Sequence, residues 1–170
     1  MSELEYNTYI NYGIYQKIYN IAEVKKNIVI DEINNVLNRN NKACKIDKLE
    51  SRIKSYNSII DKMKNKGYKL DLDNMLEKIN DIIGIRLVCS NLNDVYDLVK
   101  CIKNNSKFAI INEKDYISRP KKSGYMSYHI IIQCELETIP MRAEIQLRTR
   151  EMDMWANLSH DLIYKKLERY

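Results

Sequence analysis

Residues 142–149 read Arg-Ala-Glu-Ile-Gln-Leu-Arg-Thr, and this octet constrains the fold more than any other stretch of the chain. Glu144, Gln146 and Arg148 alternate with Ala143, Ile145 and Leu147. A period of two is the signature of a β-strand with one apolar face and one polar face. The polar face then carries a carboxylate, an amide and a guanidinium in one row, spaced by about 7 Å from the rise of an extended chain. An acceptor able to hold a cation or take a proton beside a phosphate donor is the chemistry of a nucleotide site. A solvated strand face can carry the same residue types.

The strand must belong to a sheet, and the rest of the chain supplies one. Ile85–Cys89, Phe108–Ile111, Tyr128–Cys134 and Met141–Leu147 read as strands. Ile10, Ile14, Ile18 and Ile21, followed by Ile30, Ile33, Val36 and Leu37, predict helix over 5–40, with a break at 38–42. Leu49, Ile53, Ile59, Ile60 and Met63 predict a long helix over 46–66, stopped by Gly67. Shorter helices are expected over 73–80 and 93–104, a basic loop over 112–124, a connection at 137–140, and a last helix over 149–168 carrying Trp155, Leu158 and Met152 into the core. The expected fold is α+β, a mixed sheet of about five strands flanked by helices. Residues 1–44 are expected to form an N-terminal helical cover on a domain spanning 45–170, the two together making one globular unit, with an oligomer contact as the other use open to these helices.

Composition narrows the function class. A net charge of +5 over 170 residues suits anionic ligands but does not by itself require nucleic acid. The four cysteines, Cys44, Cys89, Cys101 and Cys134, show no zinc spacing, and there are only two histidines, so a structural zinc site is not expected. Dispersed cysteines suit a reducing cytoplasm. No stretch is apolar enough to span a bilayer, and the acidic start has no signal-peptide character.

Four further constellations can carry chemistry. On a helix, Lys54, Ser58 and Lys62 share one face, with Arg52 nearby, a stripe suited to polyphosphate or to ordinary solvation. Asp81, in Asp-Ile-Ile-Gly-Ile-Arg, precedes a buried strand with Gly84 and Arg86 following; it could hold Mg²⁺ beside phosphate, or cap a connection. The stretch Lys114 to His129 interleaves Arg119, Lys121 and Lys122 with tyrosines. Lysine can take phosphate oxygens there and Tyr125 can stack on a base, although a solvated loop has the same composition. In Met152–Tyr164, Asn157 and His160 are divided between ligand contact and local hydrogen bonding.

The order and spacing of these segments resemble the synthetase domain of the RelA/SpoT family, the (p)ppGpp synthetases. The matching stretches begin at Arg52, Asp81, Lys114, Pro120, Glu144 and Met152, and cover about residues 45–166. The resemblance implies a nucleotidyltransferase-like fold and a reaction: transfer of the β,γ-pyrophosphate of ATP to the ribose 3′-hydroxyl of GDP or GTP, with Mg²⁺. It implies roles as well. Asp81 and Glu144 hold the metal, Glu144 also accepts the hydroxyl proton, and Arg86 lies near the transferring group. Arg52, Lys54, Ser58 and Lys62 bind ATP. Lys121, Lys122, Tyr125, His129, Gln146, Arg148 and Asn157 serve the acceptor. Met126 and Ser159 stand where family members usually have arginine and glutamate. They keep open toxin-like relatives that modify tRNA 3′ ends or adenosine nucleotides. The size is similar to the small single-domain synthetases, which form tetramers. With His129 and His160 alone, the hydrolase activity of the long relatives is not expected.

Overall fold

In the computed structural model, the backbone is described for residues 3–40, 45–134 and 139–167, and the side chains for these apart from 3–11 and 160–167. The expected break at 38–42, the connection at 137–140, Cys44 and the His160 side chain lie wholly or partly outside these residues. Ten elements follow one another among the described residues: α1 (Glu3–Arg39), β1 (Lys48–Ile53), α2 (Tyr56–Asn65), α3 (Leu72–Lys78), β2 (Ile83–Cys89), α4 (Leu92–Lys103), β3 (Ala109–Asp115), β4 (Tyr128–Cys134), β5 (Met141–Thr149) and α5 (Arg150–Leu167). The five strands form one sheet in the order β1-β2-β5-β4-β3. Only β2 and β5 run parallel; the other neighbours are antiparallel. The mixed α+β architecture is the one expected.

Register explains how the sheet separates its two faces. Ile85, Ile145 and Ile130 are direct neighbours across three strands, as are Leu87, Leu147 and Tyr128, and Ile83, Ala143 and Ile132. All nine are buried, and helices α1 and α4 pack on the sheet. One residue further along each strand the side chains turn to the other face. There, Glu50, Arg86, Gln146, His129 and Lys114 line up across all five strands, and Arg52, Gly84 and Glu144 form the adjacent row. The polar row seen along one strand in sequence is therefore part of a two-dimensional polar field.

The expected helix over 46–66 is half wrong. Residues 48–53 are an edge strand paired with β2, and the helix begins only after Ser55, whose hydroxyl caps it by accepting from the Ser58 amide. Leu49 and Ile53 misled because residues four apart share a face in a strand as well as in a helix. The stop at Gly67 holds: its φ is +67°, and the Tyr68 amide closes back on Met63. Strand β3 runs on to Asp115, into what was expected to be loop, because Asn112–Asp115 continue the ladder with β4 after a bulge. Trp155 and Leu158 are not core residues; both are about half exposed. Helix α5 turns Met152 and Asp153 inward instead.

Helix α1 buries Tyr15, Ile18, Ala22, Val29, Ile33 and Val36 at spacings of three, four and seven. One polar anchor is Glu32, which accepts from Asn105 at 2.8 Å, Lys107 at 2.8 Å and Asn35 at 3.2 Å. Hydrogen bonds from Asn105 and Lys107 hold the Glu32 carboxyl down to about 2. A depressed carboxyl stabilises the fold above its unfolded value of 4.5 and loses that contribution as pH falls towards 2. Glu32→Gln is expected to cost about 1–3 kcal/mol near neutrality, as for hydrogen bonds to a charged group. It should also flatten the fall of melting temperature between pH 4.5 and 2. A variant that melts in parallel with the wild type across that window removes Glu32 from this role.

Candidate active site

The polar field forms the floor of two cavities, of about 270 and 780 Å³, that share Arg52, Asp81, Arg86, Glu144 and Gln146. The larger volume is within the ~300–1,000 Å³ range of ligand clefts. Eight lysines and arginines line the larger cavity, against the two carboxylates Asp81 and Glu144. A cleft with that balance attracts polyanions.

At its centre is a closed ring of hydrogen bonds. His129 Nδ1 meets Glu144 Oε1 at 3.1 Å, and His129 Nε2 meets the Tyr125 hydroxyl at 2.8 Å. Arg148 donates to the Tyr125 hydroxyl at 2.6 Å and to Gln146 Oε1 at 2.6 Å. The Gln146 amide donates to Glu144 Oε2 at 2.7 Å and closes the ring. Glu144 can only accept here, so Nδ1 carries the hydrogen. Burial alone would raise the Glu144 carboxyl. The hydrogen bond and charge interaction with His129, with help from Gln146 and Lys62, outweigh it and hold the group down to about 2. Glu144 is thus an ionised, oriented carboxylate at neutral pH.

Asp81 stands where the chain enters β2, and its two oxygens accept from Lys62 at 2.8 Å and Lys54 at 3.2 Å. Lys54 precedes the α2 cap, so the shared helix face expected for Lys54, Ser58 and Lys62 does not exist. The two lysines nevertheless converge, because the β1–α2 connection and the second turn of α2 both border Asp81. Ser58 is exposed and bonded to Ser55 at the helix start, away from the cavity. Arg52 lines both cavities and Lys121 the larger one, whereas Lys122 is exposed and lines neither. Lys121 holds its ammonium 4.6 Å above the Tyr116 ring and 4.8 Å above that of Tyr125.

Sequence reasoning missed Asp153. It is 7% exposed and binds Arg86 and Arg148, each at 3.2 Å, so it fixes two cavity guanidiniums from behind. Asn157 reaches Asp153 and Arg86, both at 3.4 Å. The i, i+4 spacing of Asp153 and Asn157 on a predicted helix was the available signal. Glu50, Lys66 and Tyr116 also border the cavities and were not singled out. The buried cysteines contribute no chemistry: burial pushes Cys89 up to about 12 and Cys134 up to about 11, so both remain thiols.

Among the described residues, no group of three or more His, Cys, Asp or Glu side chains could hold a metal. Asp81 and Glu144, which border both cavities, are hard oxygen donors of the type that suits a divalent cation bound mainly through substrate phosphates. No helix among the described residues is long and apolar enough to cross a membrane.

A mixed sheet with a polyanion cleft built on its polar face places the chain in a class of nucleotide-handling domains, and comparison with known proteins agrees. The chain belongs to the RelA/SpoT family: the profile described as "Region found in RelA / SpoT proteins" matches residues 51–169. It is homologous to the GTP pyrophosphokinase YwaC of Bacillus subtilis, with 36% identity over 156 residues, covering 89% of this chain and 72% of the relative. The crystal structure of small alarmone synthetase 2 from Bacillus subtilis superposes with a TM-score of 0.78 at 33% identity, covering 92% of this chain and 83% of that one. That of small alarmone synthetase 1 from Bacillus subtilis, bound to its product pppGpp, gives a TM-score of 0.70 at 28% identity over 84% and 73% of the two chains.

Proposed function

We propose that the chain is a GTP pyrophosphokinase that transfers the β,γ-pyrophosphate of ATP to the 3′-hydroxyl of GDP or GTP, making (p)ppGpp. The observation that carries this reading is the placement of Glu144. An ionised carboxylate sits on the floor of a cationic cleft, with Asp81, Arg52 and Lys62 to one side and Lys121, Tyr125 and His129 to the other. Two anionic substrates can then meet over one proton acceptor.

In this reading Arg52, Lys54 and Lys62 bind the donor, the two lysines exchanging Asp81 for phosphate oxygens. Ser58 and Lys122 line neither cavity, and this reading gives them no part in the transfer. Tyr125 and Lys121 hold the acceptor, one by its ring and one by charge. The acceptor 3′-oxygen attacks the β-phosphorus, its proton passes to Glu144, and the bond from the β-phosphorus to the α,β-bridging oxygen breaks, releasing AMP. His129 and Gln146 fix the direction of the Glu144 lone pairs. Arg86 faces the charge that builds on the transferring group, held there by Glu50, Asp153 and Asn157. Asp81 and Glu144 would hold Mg²⁺, which when bound offsets phosphate charge. Helix α1 serves as a cover on the synthetase domain proposed for 45–170, and cytoplasmic location and a homo-oligomer are parts of the same proposal.

The test is incubation with γ-labelled ATP and Mg²⁺, separately with GMP, GDP, GTP, ATP and total tRNA. Label in a guanosine 3′-pyrophosphate is the expected result. Label only in tRNA or an adenosine nucleotide would reassign the acceptor, and absence of transfer to all five would overturn the reading.

A further inference from the structure

Trp155 is the sole tryptophan of the chain and is 49% exposed, although its neighbours Ala156 and Asn157 line the larger cavity. The indole is not idle. A Cβ built on Gly124 would meet the Trp155 ring at 3.3 Å, so glycine is the residue that lets the two elements touch. Gly124 also has a φ of +78°, a conformation that costs other residues strain. It closes a tight turn: its amide donates to the Lys121 carbonyl at 2.8 Å, and the Lys121 amide donates to the Tyr125 carbonyl at 3.1 Å. That turn sets Lys121 over the Tyr116 and Tyr125 rings, which lie 6.2 Å apart. Residues 118–124 are otherwise exposed. The loop bearing the acceptor-side lysine and tyrosine thus meets α5 where Gly124 packs against the Trp155 indole.

We infer that Trp155 is a positioning residue for the acceptor nucleotide: its indole clamps Gly124 and so fixes Lys121 and Tyr125, while leaving the donor side untouched. This rests on the transfer reaction proposed above. Freeing the loop makes the acceptor, and not ATP, bear the cost of ordering it.

The test compares Trp155→Ala and Trp155→Phe with the wild type. The alanine variant should raise the acceptor KM by about tenfold or more and leave the ATP KM within about twofold, with phenylalanine restoring the acceptor KM to within about threefold. Equal rises in both KM values, or an unchanged acceptor KM, overturn the clamp while the transfer reaction stands. Absence of transfer by the wild type overturns both. A second measurement needs no variant. With the α,β-methylene analogue of ATP present, which blocks transfer, addition of GDP or GTP should shift the emission of the single indole. Emission that stays still while equilibrium dialysis shows the guanine nucleotide bound also overturns the proposal.

Discussion

Glu144→Gln is expected to leave the fold in place and to lower turnover by about a thousandfold, within the 10²–10⁴ range that positioned proton acceptors supply. The substitution keeps shape and removes charge, but the ring around Glu144 makes its consequences specific. The new amide can still accept from His129 through its oxygen. Its nitrogen then faces the Gln146 nitrogen that now donates to Glu144 Oε2, and two donors cannot pair. Gln146 can turn over to relieve this, but its oxygen then leaves Arg148. One member of the ring must lose a partner, at a cost of about 1 kcal/mol, too little to unfold a domain. A circular dichroism spectrum and melting curve near those of the wild type should therefore accompany the loss of transfer. Turnover that survives the substitution removes Glu144 as the proton acceptor.

The same ring sets an expectation for pH. Because Glu144 is held down to about 2, its ionisation does not produce an acid limb in the rate profile between pH 5 and 8. Its stabilising contribution is complete above 4.5 and is lost only as pH falls through its native value.

The strand that carries Glu144 was legible because a period of two over eight residues has no helical reading. Asp81, Arg86, Tyr125 and His129 were legible by motif. What sequence could not give was register. Glu144, His129 and Tyr125 are 15 and 19 positions apart along the chain, and only the β4–β5 pairing of His129 with Gln146 brings them into one ring. Edge strand β1 was hidden for a related reason. Leu49 and Ile53 satisfy both periods, and the partner that decides the matter, β2, begins 30 residues after Ile53. Lys54 and Lys62 were grouped correctly for an incorrect reason, since what unites them is Asp81 and not a helix face. Trp155 was misplaced because a large aromatic is usually buried, and nothing local reveals that a glycine in a distant loop will take its face.

Asp81→Asn separates the two functions proposed for the donor site. In the wild type Asp81 is 16% exposed and accepts from two ammonium groups at 2.8 and 3.2 Å. Removal of its charge leaves Lys54 and Lys62 without that carboxylate at the place where the donor phosphates are proposed to lie. Two consequences of opposite sign follow. Metal-free ATP should bind more tightly, by about tenfold, because the lysines no longer have to exchange an ionised partner for phosphate. Transfer in the presence of Mg²⁺ should fall by about a thousandfold or more, because one of the two oxygen donors proposed for the cation is gone. Like charges brought together also lower the melting temperature, and ATP should restore it through binding. A merely structural Asp81 makes a different prediction: affinity for ATP and transfer would decline in parallel with stability. Isothermal titration with ATP in chelator, set beside the labelled transfer assay in Mg²⁺, decides between them. Tighter binding with lost transfer assigns Asp81 to the cation and the two lysines to phosphate; weaker binding, or transfer that persists, removes that assignment.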